Sequence, residues 1–149
     1  DGDCMTSDPP LLQIDPDGCT LTDGRQPPVV LQVSPRTIAA RHWPRGQPGA
    51  LQLERAIDDV ENAIEQAGLV HGDRGMLRVS AELGALLHPA LLSAGLVPRD
   101  GVEAAFSRLV FASGAADPQH AAVGESAAAL LLVRELMHHL GFQSLQTGG

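Results

Sequence analysis

Apolar and polar residues alternate over short stretches in the first third of the chain, which is the pattern of half-buried β-strands. The candidate strands, separated by Pro- and Gly-containing turns, are residues 11–14, 19–21, 29–33 and 37–43. Tight turns bring consecutive strands side by side in opposite directions. The pattern therefore predicts an antiparallel β-meander of about four short strands.

Beyond residue 49 the apolar residues recur with a period of about 3.6 residues, which is typical of α-helices. Leu53, Val60 and Ile64 share one face of the first predicted helix, and Gly68 stands where a helix C-terminus favours glycine. The remaining predicted elements are a candidate fifth strand at 76–79 and helices at 81–94 (with a break before Pro89), from Asp100 onward, and at 124–140. We predict an α+β fold in which the N-terminal antiparallel meander packs against the C-terminal helices.

The length of 149 residues suits one compact domain with one hydrophobic core. Residues 1–10 lack a periodic pattern and are expected to form a flexible tail. The domain then comprises residues 11–149, β-rich over 11–43 and mainly helical over 50–142. Because the stretch 127–133 is apolar on every side of a helix, either the domain or a second copy of the chain must cover it, and a homodimer is one expectation.

The chain has ten Arg and no Lys, and this excludes chemistry that needs a lysine amine, such as a P-loop or a Schiff-base site. The surplus of Ala, Gly, Pro and Arg is typical of a GC-rich, bacterial genome.

A net charge of −8 argues against nucleic-acid binding, because phosphate neutralisation needs a basic surface. No stretch approaches the roughly 18 apolar residues of a membrane span. Two Cys are too few for a disulfide framework, so a cytoplasmic protein is expected.

Residues 24–53 contain no acidic residue and hold four arginines beside the one Trp of the chain. The candidate binding residues in this stretch are Arg36, Arg41, Trp43 and Arg45. On a strand, Arg41 and Trp43 would share a face that suits a small anionic ligand or a protein partner, through bidentate hydrogen bonds and stacking. The alternative is intramolecular: the arginines pair with the acidic helix around residues 58–65, and Trp43 fills the core.

Residues 14–23 read Ile-Asp-Pro-Asp-Gly-Cys-Thr-Leu-Thr-Asp. This segment resembles the DxDGTLxD motif of the haloacid dehalogenase family, and the resemblance implies Asp15 as a phosphoryl nucleophile and Asp17 as a general acid near Mg²⁺. The segment departs from the motif in three ways: Cys19 is inserted, no Lys can supply the downstream basic residue, and a Pro-rich hairpin follows where that family has a helix. A β-turn at residues 15–18 accounts for the same letters.

Residues 134–142 resemble the HExxHxxG core of zinc metalloproteases, in which two His bind Zn²⁺ and the Glu activates water. Glu135, His138 and Gly141 fall at matching positions of that motif. Arg134 replaces the first ligand, and Ser144 stands where the longer motif has its third. A cation in the position of a ligand argues against a zinc site of that type.

Two interpretations of this helix end remain open. Glu135 and His139 share a helix face at positions i and i+4, so a rearranged metal or acid–base site could use them, with His120 approaching from the preceding loop. Alternatively, His138 and His139 interact with the exposed carbonyls and the negative dipole end of the helix, and Glu135 pairs with His139.

The pattern as a whole favours a small cytoplasmic bacterial protein that acts by binding, as an adaptor or regulatory subunit, without catalysis or a cofactor of its own. A protein partner or self-association is expected, whereas nucleic acid and membranes are not. The alternative is a hydrolase or metal-dependent enzyme, with zinc as the cofactor, that uses Glu135, His138 and His139.

Overall fold

A computed structural model describes residues 9–24, 26–45, 48–91, 95–112 and 123–147 of the chain. Within these residues the chain forms six strands and five helices. The strands are β1 (Leu11–Ile14), β2 (Cys19–Thr22), β3 (Val29–Leu31), β4 (Met76–Val79), β5 (Leu96–Pro98) and β6 (Ser144–Gln146). The helices are α1 (Pro35–His42), α2 (Ala50–Gln66), α3 (Ala81–Leu91), α4 (Arg99–Ala112) and α5 (Val123–Leu140).

The six strands form one sheet in the order β3-β2-β1-β4-β6-β5. Strands β1, β2 and β3 pair antiparallel, as the predicted meander requires. Strand β4 runs parallel to β1 and β6 runs parallel to β4, whereas β5 lies antiparallel to β6. The α+β class is therefore confirmed, but the sheet is mixed. The helices before β4 and β6 act as crossovers, and crossovers of this length allow parallel pairing.

The predicted fourth strand, residues 37–43, is wrong, because this segment belongs to helix α1. The Ser34 hydroxyl accepts a hydrogen bond from the Thr37 backbone N–H at 3.1 Å, and the Thr37 hydroxyl accepts one from the Ser34 backbone N–H at 2.9 Å. Pro35 occupies the first turn, where its missing N–H removes no helical hydrogen bond. This reciprocal cap specifies a helix start, and it outweighs the short alternation of polar and apolar residues.

Helix α5 lies in the centre of the core and contacts each of the other four helices. Residues 130–133 have no accessible surface at all. The domain itself therefore covers the stretch that is apolar on every side, and its burial requires no second copy of the chain. Self-association stays a prediction without this support.

The other predictions agree with the structure only in part. Helix α2 and strand β4 are confirmed, and Gly68 beyond α2 has the positive φ of 76° that favours glycine. Helix α3 continues through Pro89, so the expected break before that residue is wrong. Helix α4 begins at Arg99, which places Asp100 inside its first turn. Strands β5 and β6 were not predicted, because three residues are too few to show a period.

Residues 1–8, most of the predicted tail, lie outside the described residues, and the division into tail and domain stays a prediction. His120 also lies outside them, so its approach to Glu135 has no structural test. In the described part of the chain, no helix combines the length and apolar character needed to cross a bilayer.

Candidate functional site

The carboxyl ends of the two central parallel strands, β1 and β4, lie side by side. Leu12 pairs with Val79, and the Ser80 backbone N–H donates to the Leu12 carbonyl at 2.9 Å. The segments that follow these strands are the turn at residues 15–18 and the start of helix α3. Ligands of sheets with parallel strands bind beyond the carboxyl ends of neighbouring strands whose connections diverge. This position is therefore the first candidate site.

The turn after β1 presents two carboxylates to solvent. The Asp15 backbone N–H donates to the Gly18 carbonyl at 2.8 Å, and Asp15 and Asp17 are both exposed. A Cβ atom at Gly18 would lie 2.7 Å from the Leu31 carbonyl oxygen, so the close approach of β3 requires glycine here. The turn interpretation is confirmed. Strand β2 follows where the haloacid dehalogenase resemblance implies a helix, so that resemblance fails.

Two serine-capped helix N-termini meet the same end of the sheet. The Ser34 hydroxyl, which caps α1, donates to the Pro16 carbonyl at 2.9 Å and so joins α1 to the turn. The Ser80 hydroxyl accepts from the Leu83 backbone N–H at 3.3 Å at the start of α3. Helix N-termini carry partial positive charge and favour anions. Arg36, exposed in the first turn of α1, adds a full positive charge.

We call this group the carboxyl-end site, and its members are Asp15, Asp17, Ser34, Arg36 and Ser80. The sequence interpretation included Arg36 and the two acids, but it assigned Ser34 to a turn and overlooked Ser80. A serine immediately before a helical segment is the signal that could have identified both caps.

The thiol that follows this turn is buried and inert. Cys19 has no accessible surface and is a free cysteine. Burial, and then the charge of the neighbouring Asp15, raises its pKa to about 12. Thiolates are the reactive form of cysteine, so Cys19 is not a nucleophile of this site.

Above pH 9 we expect ionisation of Cys19 to weaken the fold. The ordinary thiol pKa of 9.0 applies to the unfolded chain, whereas the folded pKa is about 12. The stabilisation is therefore fully present below the unfolded pKa and is lost as the pH rises towards the folded one. In urea denaturation between about pH 9 and 11, Cys4→Ser protein should lose more stability than the Cys4→Ser/Cys19→Ala variant. Equal pH slopes would contradict this assignment.

The structure separates the predicted binding residues Arg36, Arg41, Trp43 and Arg45. Arg41 pairs with Asp59 of α2 at 3.1 Å. Trp43 is buried, and its indole N–H donates to the Gly124 carbonyl at 2.8 Å. The expected shared face of Arg41 and Trp43 is therefore corrected, since the segment is helical and ends in the core. Arg36 and Arg45 are exposed, and a binding role for them stays a prediction.

A second polar cluster joins helices α2 and α5. Glu135 is buried, and its Oε1 lies 3.2 Å from Nε2 of His139. The same imidazole nitrogen lies 3.1 Å from Oε2 of Glu61, which α2 contributes. His138 is exposed and is not part of the cluster, so the predicted trio of Glu135, His138 and His139 is only partly brought together. No local signal in the sequence links Glu61 to α5.

Arg134 holds the other oxygen of the buried carboxylate. Its guanidinium lies 2.5 Å from Oε2 of Glu135, 3.3 Å from Glu103 and 4.7 Å from the centre of the Phe106 ring. Partial burial lowers the pKa of Arg134, but the hydrogen bonds and charges of Glu135 and Glu103 outweigh it and raise the pKa above the ordinary value. Arg134 is therefore the permanent counter-ion of Glu135.

No protein-family model matches this chain, and no curated protein sequence matches it significantly. Its fold is similar to that of a PPX-GPPA enzyme of Aquifex aeolicus, with a TM-score of 0.67 and 7% identity over 94% of this chain and 53% of that one. The type II variant of the Aquifex aeolicus Ppx/GppA phosphatase is similar with a TM-score of 0.65, 7% identity, and coverage of 94% and 53%. For an exopolyphosphatase-like protein the TM-score is 0.62, with 14% identity and coverage of 99% and 56%.

The chain spans about half the length of the structures it matches. At these identities the likeness shows the fold. This likeness contradicts the prediction of a binding or accessory protein without catalysis, because the matched structures are those of Ppx/GppA enzymes and an exopolyphosphatase-like protein. It also leaves the predicted protein-binding role without support. The alternative prediction of a hydrolase agrees better with it.

Proposed function

We propose that this chain forms one wall of the active site of a phosphoanhydride hydrolase that acts on inorganic polyphosphate or a similar polyanion. One observation carries the proposal: the exposed acidic turn at residues 15–18 and the N-terminus of α3 follow the carboxyl ends of the adjacent parallel strands β1 and β4, in a fold shared with phosphatases. In the reaction, water attacks a terminal phosphorus, the P–O bond to the chain breaks, and orthophosphate is released.

The charges of the carboxyl-end site suit a polyphosphate that arrives with a divalent cation. Asp15 and Asp17 make no ion pair with another described residue, and alone they would repel phosphate oxygens. Hard carboxylate oxygens fit Mg²⁺, which when bound would neutralise charge on the transferred phosphoryl group. The N-termini of α1 and α3 and the charge of Arg36 would then attract the remaining phosphate oxygens.

Binding is the direct test. The matched structures are about twice as long as this chain, so turnover would also depend on a part that the match does not cover. Tripolyphosphate with Mg²⁺ should shift the ¹⁵N–¹H resonances of residues 15–18 and 80–83. Asp15→Asn and Asp17→Asn should each weaken binding about tenfold, the effect of losing one charged contact. Asp58→Asn, an exposed acid on α2, should leave binding unchanged.

Two results would refute the proposal: no resonance shifts at millimolar tripolyphosphate, or shifts that Asp58→Asn weakens as much as Asp15→Asn. Phosphate release from polyphosphate by the unmodified chain, lost in Asp15→Asn, would support the catalytic part of the proposal directly. The proposed compartment is the cytoplasm, which the free thiol of Cys19 supports.

A further inference from the structure

We propose that Glu61, Glu135 and His139 form a zinc-binding site that joins α2 to α5. Each residue offers one ligand atom, and the three atoms lie within 4.8 Å of one another. Carboxylate oxygens and imidazole nitrogens both bind Zn²⁺, and three protein ligands leave a fourth position open for water. The imidazole nitrogen favours Zn²⁺ over Mg²⁺ or Ca²⁺, which take oxygen ligands.

Two of the three distances between ligand atoms are close to those that a tetrahedral ion needs. The Nε2 atom of His139 lies 3.1 Å from the Glu61 oxygen and 3.2 Å from the Glu135 oxygen. Zinc–ligand bonds near 2.1 Å with tetrahedral angles place two ligand atoms about 3.4 Å apart. An ion could therefore enter with small movements, and the Glu61 side chain, 43% exposed, can supply them.

Two carboxylate oxygens converge on a single nitrogen of the His139 imidazole. The Nε2 atom of His139 carries at most one proton, but two carboxylate oxygens lie at hydrogen-bond distance from it. Arg134 pairs with Glu103 and Glu135, whereas the imidazole of His139 is the partner of Glu61. A divalent cation would satisfy both carboxylates that converge on the imidazole.

Contacts from neighbouring side chains hold the buried carboxylate of Glu135 in position. Arg134 binds Oε2 of Glu135, which leaves Oε1 directed at His139. Glu103 and the Phe106 ring in turn fix the guanidinium. Outer contacts of this kind orient metal ligands and improve affinity. Arg134, which argues against a metalloprotease site in the sequence, thus becomes a positioning residue once Glu61 provides the third ligand.

This site is independent of the proposed hydrolase function. His139 lies at the C-terminal end of α5, from which the chain enters β6. The start of β6 pairs with the start of β4, through Ser144 and Met76, so the cluster belongs to the end of the sheet opposite the carboxyl-end site. Zinc here would cross-link two helices of the core and raise the stability of the fold.

The test is a zinc titration of tag-free protein by calorimetry, combined with thermal melting. We expect one ion per chain with micromolar or tighter affinity, and a rise in Tm of about 5–10 °C at a hundredfold excess over Kd. His139→Ala and Glu61→Gln should each weaken binding at least about tenfold, the usual cost of losing one ligand or its orienting contact. Glu61→Gln changes a partly exposed side chain and so is not expected to disturb folding.

His138→Ala is the matched control, because it removes the adjacent exposed imidazole and should leave zinc affinity unchanged. The proposal is overturned if the unmodified chain shows neither heat nor a Tm shift at about 100 μM zinc, well above the expected Kd. It is also overturned if His138→Ala weakens binding as much as His139→Ala, or if Glu61→Gln binds as tightly as the unmodified chain.

Discussion

Replacing Trp43 with alanine is expected to destabilise the fold by about 3–5 kcal/mol, the usual cost of truncating a buried aromatic residue. Trp43 is the C-terminal cap of α1, and 4% of its surface is accessible. Its indole N–H donates to the carbonyl of Gly124 at the start of α5. The substitution removes both the packing volume and the hydrogen bond between these helices. Urea denaturation followed by circular dichroism measures the change, because the variant lacks the one Trp of the chain.

Trp43→Phe separates the two contributions. It keeps most of the aromatic packing and loses the indole N–H, so it should cost less than Trp43→Ala, with about 1 kcal/mol from the hydrogen bond. The phenylalanine variant also provides a result if the alanine variant does not fold. Equal stability of the unmodified chain and Trp43→Ala would show that this side chain is not part of the core.

Replacing Arg134 with methionine is expected to destabilise the fold by about 3 kcal/mol, the lower end of the range for breaking a buried ion pair. The carboxylate of Glu135 retains 1% of its accessible surface and would lose its permanent counter-ion. Arg134 itself is 24% exposed, which places the expected cost at the lower end. Measurement by urea denaturation in EDTA makes the result independent of the proposed zinc site.

The double variant Arg134→Met/Glu135→Leu is the control for this mechanism. Replacing both members of a buried ion pair by apolar side chains of similar volume is often close to neutral. We therefore expect the double variant to recover most of the stability that Arg134→Met loses. Additive losses in the double variant would contradict the interpretation, since they would show that the two side chains do not interact.

Local patterns predicted the elements whose cause is local. The apolar stripe of Leu53, Val60 and Ile64 predicted α2, and the Pro- and Gly-containing turn at 15–18 predicted the β1–β2 hairpin. The uniformly apolar stretch at 127–133 predicted a buried helix, and the domain covers it without a second copy of the chain. Helical period and turn chemistry act over a few residues, so a sequence displays them directly.

Competing local signals account for the error at α1. Residues 37–43 alternate weakly between polar and apolar, but Ser34, Pro35 and Thr37 together form a capped helix start. A reciprocal cap satisfies backbone N–H groups that an isolated strand would leave unpaired. That difference decides the conformation. Because the segment is helical, Trp43 lies in the core and not on the expected binding surface.

Composition and local spacing were enough to establish the charge balance, the absence of lysine, the main helices, the acidic turn after β1 and the i, i+4 spacing of Glu135 and His139. The parallel pairing of β4 with β1, which joins the Ser80 backbone N–H to the Leu12 carbonyl, depends on contacts between elements distant in the chain. Such contacts also bring Glu61, 78 residues before His139, to the same imidazole. Spacing along a helix follows from backbone geometry, whereas meetings between distant elements depend on packing and strand register, which no local pattern encodes.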